Sequence, residues 1–94
     1  MLVVAAFQMA SAQNSVISGK VVSVENGDPL PGVNVILKGT TIGTVTNIEG
    51  EYRLNVPSDA QTLVFSFIGL EMQEVDINGR STINVSMSED AQQL

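Results

Sequence analysis

The chain has 94 residues, with ten acids against four bases, a net charge of −6, and neither histidine nor cysteine. Without cysteine there is no disulfide framework and no thiolate ligand; without histidine the commonest general base and transition-metal ligand are gone. The acidity argues against nucleic acid, whose phosphates need clustered Lys and Arg, because Lys20, Lys38, Arg53 and Arg80 stand singly.

Met1 to Phe7 is a short apolar run, followed by Ala10-Ser11-Ala12, a small-x-small pattern before Gln13. It is shorter than the about 20 apolar residues that span a bilayer, and it matches the h-region and cleavage site of a secretory signal peptide. The expected organisation is a leader over 1–12 with a truncated positive region, one domain over 13–88 and a polar tail over 89–94. With no Trp, three Phe and one Tyr, the core should be built mainly of Val, Ile and Leu.

From Val16 the chain alternates in short pieces separated by turn residues, the pattern of a β-sandwich. Val16 to Val24 is the first strand, with Ile17, Gly19 and Val21 on one face, closed by Asn26-Gly27. Pro29, Pro31 and Gly32 punctuate the next turn. Val33, Val35 and Leu37 are the inward row of the second strand, and Thr44 to Thr46 is a short third. Tyr52, Leu54 and Val56 alternate with Glu51, Arg53 and Asn55, and Pro57 should stop that strand because it cannot donate to a ladder. Leu63 to Ile68 is apolar on both sides and should be central in its sheet. Gln73, Val75 and Ile77 make one row of the sixth strand; Asn78-Gly79 reads as a hairpin turn. Ile83, Val85 and Met87 give the seventh. Val35, Leu37, Tyr52, Leu54, Phe65, Ile83 and Val85 are the expected core, and no segment carries an apolar stripe at helical spacing.

The chemistry is sparse. Glu49 and Glu51 flank a turn and should point to water rather than form a catalytic carboxylate pair. Asp28, Asn47 and Glu49 lack the dense alternation of acids in a calcium loop. Gly39 to Thr44 is no phosphate cradle, having neither the P-loop pattern nor a following helix. Tyr52, Phe65 and Phe67 fit core packing better than a stacking platform. Asn84-Val85-Ser86 is formally a glycosylation sequon inside an expected strand. No catalytic, cofactor-binding or metal-ligating residue is expected.

Six fragments in order carry a resemblance: Gly19-Lys20-Val21, Pro29 to Val35, Lys38-Gly39-Thr40, Gly43 to Thr46, Gly50-Glu51-Tyr52 and Leu63 to Gly69. Together they resemble the carboxypeptidase-regulatory-like domain, in the version at the N-terminus of SusC/RagA-type TonB-dependent transporters of Bacteroidetes. The resemblance implies a seven-stranded, transthyretin-like β-sandwich with Greek-key features. It also implies a non-catalytic accessory domain, exported to the periplasmic face of the outer membrane, in an importer of nutrients, glycans foremost. The implied partner is a periplasmic or outer-membrane protein, with no nucleic acid, no small-molecule ligand, no cofactor and no membrane insertion by the domain itself. Asn47 replaces the usual Asp and can cap the same turn through its side-chain oxygen; Leu70 replaces a more usual aromatic. The plug and barrel of a transporter are not in these 94 residues. A stand-alone secreted binding module, for carbohydrate among other ligands, is therefore the alternative, and the genomic sequence after Leu94 separates the two.

Overall fold

The computed structural model describes residues 14–89, so the expected leader and most of the expected tail lie outside the described residues. Seven strands follow in chain order: β1 Asn14–Ser23, β2 Asn34–Leu37, β3 Gly43–Val45, β4 Glu51–Pro57, β5 Thr62–Ser66, β6 Gln73–Asp76 and β7 Val85–Met87. They form a β-sandwich of a three-stranded sheet, β4-β1-β7, and a four-stranded sheet, β3-β2-β5-β6. β4 shows the cause most plainly. Tyr52, Leu54 and Val56 are buried while Glu51, Arg53 and Asn55 are exposed, because successive side chains leave opposite faces of a strand.

The two inward faces meet in one core that includes Ile17, Val21, Val35, Leu37, Leu54, Leu63, Phe65, Ile83 and Val85. All seven residues expected in the core are buried. Tyr52 and Phe65 meet edge to face at a centroid distance of 5.5 Å, the geometry that places a ring's positive edge on its neighbour's negative face. Thr46 is the buried polar residue of this core. Its hydroxyl donates to the Leu30 carbonyl at 2.6 Å and accepts the Val33 N–H at 2.9 Å, so its polarity is satisfied while it ties three segments together.

β1 runs through both halves of its sheet. Its first part pairs antiparallel with β4, and Val21 to Ser23 pairs parallel with β7. Where the partners change, the 81–83 segment crosses close above Gly19: a Cβ there would lie 1.8 Å from the Ile83 carbonyl oxygen. The same carbonyl accepts the buried Tyr52 hydroxyl at 2.7 Å. Gly19 is thus a glycine because backbone occupies the place of its side chain.

Four local expectations change. Asn78 and Gly79 have φ of 49° and 74°, the left-handed pair that a tight turn needs. Yet β6 and β7 lie in different sheets, so this turn carries the chain across the sandwich and closes no hairpin. After Asn26-Gly27 the chain runs back beside β1 only as far as an isolated Val22–Pro29 bridge before it too crosses. β5 is central, between β2 and β6, but it ends at Ser66; Phe67 is 41% exposed and Ile68 93% exposed. The turn from Phe67 to Leu70, closed by Leu70 N–H to Phe67 carbonyl, lifts both residues out of the sheet. Glu89, expected in the tail, is bridged to Leu70.

Candidate functional site

The two long sides of the sandwich differ, and the difference locates the candidate site. On the β6/β7 side the sheets are stitched together. Glu71 N–H donates to the Ser88 carbonyl at 2.9 Å, and the Gln73 side-chain amide donates to the Ser86 carbonyl at 2.6 Å. The Arg80 guanidinium donates to the carbonyls of Asp76 and Ile77, and Lys38 pairs with Glu74 at 2.9 Å across the outer face.

On the β3/β4 side each sheet ends in a strand with one described partner. β3 pairs with β2, and β4 with β1. The phase of β4 is set by the bond from Val21 N–H to the Gly50 carbonyl. In an antiparallel ladder such bonds recur at alternate residues, so Tyr52, Leu54 and Val56 bond to β1, and Glu51, Arg53 and Asn55 turn their backbone groups outward. At Glu51 these groups are used: its N–H reaches Asn47 Oδ1, and its carbonyl accepts the Asn47 N–H, both at 2.9 Å. Pro57 fits as the last residue of β4 for the same reason. Its missing N–H falls on the outward edge, so the strand continues to the proline. Arg53 and Asn55 are left with backbone donors and acceptors facing solvent.

Beside this edge lies an open groove of about 630 Å³, lined among others by Ser18, Lys20, Thr44, Val45, Glu51, Arg53 and Asn84. Its floor is the outward row of β1 and β4, where Lys20 stands opposite Glu51 and Ser18 opposite Arg53. Among the described residues, Lys38 is the base held in an ion pair and Arg80 the base whose side chain donates hydrogen bonds within its turn. Lys20 and Arg53 have neither, so the groove holds two unengaged cations against the single carboxylate of Glu51.

Of the other candidate residues, Asn47, Glu51, Tyr52 and Asn84 also line this groove, and the rest lie elsewhere. Glu49 and Glu51 are exposed, on the turn and strand start. Asn47 Oδ1 accepts the N–H groups of both Glu49 and Glu51 at 2.9 Å, so Asn caps this turn as Asp would. Asn84 is exposed and its side-chain oxygen accepts the Lys20 N–H at 2.9 Å, which places the sequon on the rim of the groove. Of the three aromatics, Tyr52 and Phe65 are core and Phe67 is not. Burial pushes the Tyr52 hydroxyl up to about 12, opposed by the nearby Arg80 charge. A phenol so held, donating to a backbone carbonyl, is a structural group rather than an acid or base for a substrate.

A model of the CarboxypepD_reg-like domain matches residues 17–94. The chain belongs to the CarboxypepD_reg-like domain family. Relatives sharing this domain include TonB-dependent receptor P3 of Formosa agariphila, 36% identical over all of this chain and 9% of that protein. TonB-dependent receptor SusC of Bacteroides thetaiotaomicron is 35% identical over 90% of this chain and 8% of its own length. The chain thus spans less than a tenth of these curated relatives. A chain of a type II cohesin–X-dockerin complex from Acetivibrio cellulolyticus superposes with a TM-score of 0.50 at 18% identity, over 77% of this chain and 52% of that one. That likeness is one of fold alone.

Within this CarboxypepD_reg-like domain, Lys20 and Arg53 are the groove residues that the sequence does not reveal as a pair. They are 33 positions apart and stand singly along the chain. Both, however, occupy outward positions of alternating strands, and pairing those strands puts them on one floor. The alternation is legible in the sequence; the pairing is not.

Proposed function

We propose that this chain is a non-catalytic accessory domain of a TonB-dependent outer-membrane importer of nutrients, glycans foremost, and that it works by protein contacts on the periplasmic face. Residues 1–12 are then the leader that sends it there. The observation that carries the reading is the match of the whole chain to a small part of a TonB-dependent receptor at 36% identity. The chemistry agrees with it. Transport through an outer membrane needs a barrel, which a small sandwich cannot supply, so its contribution must pass through neighbours. The carboxylates of Glu49 and Glu51 are exposed on a turn, and the raised phenol of Tyr52 is locked to a carbonyl. An open sheet edge is a surface through which such a domain touches another protein.

The test is an in-frame deletion of Val16 to Met87 from a parent receptor, with nutrient uptake and barrel insertion measured separately. Uptake should fall while the barrel still inserts. Unchanged uptake under every growth condition would remove the accessory role.

A further inference from the structure

We infer that the free edge of β4 accepts an extended acidic segment of a partner protein as an additional strand, with its carboxylates held by Lys20 and Arg53. The inference rests on the protein-contact reading above and names the surface and the chemistry of the partner. Three features converge on this edge. First, the outward backbone groups of Arg53 and Asn55 are an unused stretch of ladder, bounded at one end by the Asn47 cap on Glu51 and at the other by Pro57. An incoming strand of a few residues completes it. Secondly, β3 comes close to β4, but with three residues, Gly43 to Val45, against seven it cannot run the length of this edge, and the two strands are not paired. Edge strands are normally blunted by polar closures such as those on the β6/β7 side, where a backbone bond and a side-chain amide join the sheets.

The third feature is charge. The chain carries −6 overall, so its general field repels an acidic partner. The groove beside β4 reverses that sign locally, with Lys20 and Arg53 against Glu51. A strand added to β4 alternates its side chains, one set over the outer floor and the other toward the seam between the sheets. Residues of the first set lie next to Arg53 and within reach of the long Lys20 side chain. Acids are favoured at those alternate positions, and small or β-branched residues at the others, where Thr44 and Val45 form the facing wall.

The probe is a blocked heptapeptide alternating glutamate with valine and threonine, titrated into the isotope-labelled 94-residue chain and followed by amide NMR. Binding should saturate below about 1 mM, with the largest shifts and new exchange protection at the Arg53 and Asn55 amides. It should weaken at least tenfold in the Lys20→Glu/Arg53→Glu double variant and fall with added salt for the unaltered chain. Both side chains are exposed, so that variant keeps the fold, checked by unchanged shifts away from the groove. The same peptide with every backbone amide N-methylated keeps its charge and should also lose at least tenfold.

Several results would overturn the inference. These are no saturation by the acidic peptide, equal binding of a lysine-for-glutamate peptide, or full binding by the N-methylated form. Shifts in the groove on adding an oligouronate but not the peptide would also overturn it, in favour of an anionic glycan. In a parent receptor, uptake lost on deleting the domain but kept in the double variant would overturn the edge and leave the accessory role standing. A deletion without effect would remove the accessory role whatever the peptide does.

Discussion

The β6/β7 side and the β3/β4 side of this sandwich come from the same alternating sequence pattern and have opposite fates. On the first, Glu71 and Gln73 reach across to Ser88 and Ser86. On the second, β4 turns the backbone of Arg53 and Asn55 to solvent beside a groove whose two bases are unengaged. Closing an edge takes specific polar residues at specific places, and on the β3/β4 side the Asn47 cap reaches only Glu51, at the start of β4. The open side is where contacts with other molecules are to be sought.

The largest way to break this comparison is to remove the frame that both sides share. Gly19→Ala would drive a methyl group into the Ile83 carbonyl at 1.8 Å, backbone that cannot step aside. We expect a loss of more than about 4 kcal/mol, near the full stability of a small domain, seen as a chain largely unfolded by circular dichroism. A cooperative urea transition near the unaltered midpoint would show that the 81–83 crossing is not fixed by Gly19.

Thr46→Val tests the inner wall of the open side. It keeps the shape but leaves the Val33 N–H and Leu30 carbonyl without their hydroxyl, for an expected cost of about 2 kcal/mol in urea unfolding. Hydrogen exchange should quicken on the β2/β3 side before the β6/β7 side. Uniform quickening would mean that the two sides do not open independently.

Tyr52→Phe removes the clasp to Ile83 and should cost roughly 1–2 kcal/mol at neutral pH. Its pH dependence sharpens the point. Because the folded hydroxyl is raised from 10.0 to about 12, the unfolded chain loses this proton first. The corresponding stability is complete below pH 10 and is lost as pH rises toward 12, by roughly 2–3 kcal/mol. Urea midpoints measured across that window should fall for the unaltered chain and fall less for the variant.

The smallest effect is expected at the closed side itself. Gln73→Ala leaves the Ser86 carbonyl to water and should cost only about 0.5–1 kcal/mol. Its value lies in conversion: exchange at the Glu71 amide should rise severalfold while that at Val21 stays put. If both stay put, the side-chain amide is not what closes this edge.

The sequence itself carried which residues face inward. In β4 and β7 the apolar positions recur every second residue, and burying one face of a strand with period two leaves no other set to choose. It also carried the turn chemistry, since Asn78 and Gly79 adopt the left-handed conformation that few other residue pairs accept. Where Phe67 and Ile68 extend an apolar run past the end of β5, composition misled, because the turn closed by Leu70 decides where the strand stops.

What only the tertiary structure decided is which strand lies beside which. β1 takes β4 on one side and, in parallel, β7 on the other, though β7 is the last strand and β4 lies three strands on. A turn fixes the local direction of the chain but not the sheet it enters; that depends on which two faces exclude water best together, a property of all seven strands at once. The candidate site is of this second kind. Lys20 and Arg53 become one feature only because β1 and β4 pair in the register that sets Lys20 opposite Glu51 and Ser18 opposite Arg53.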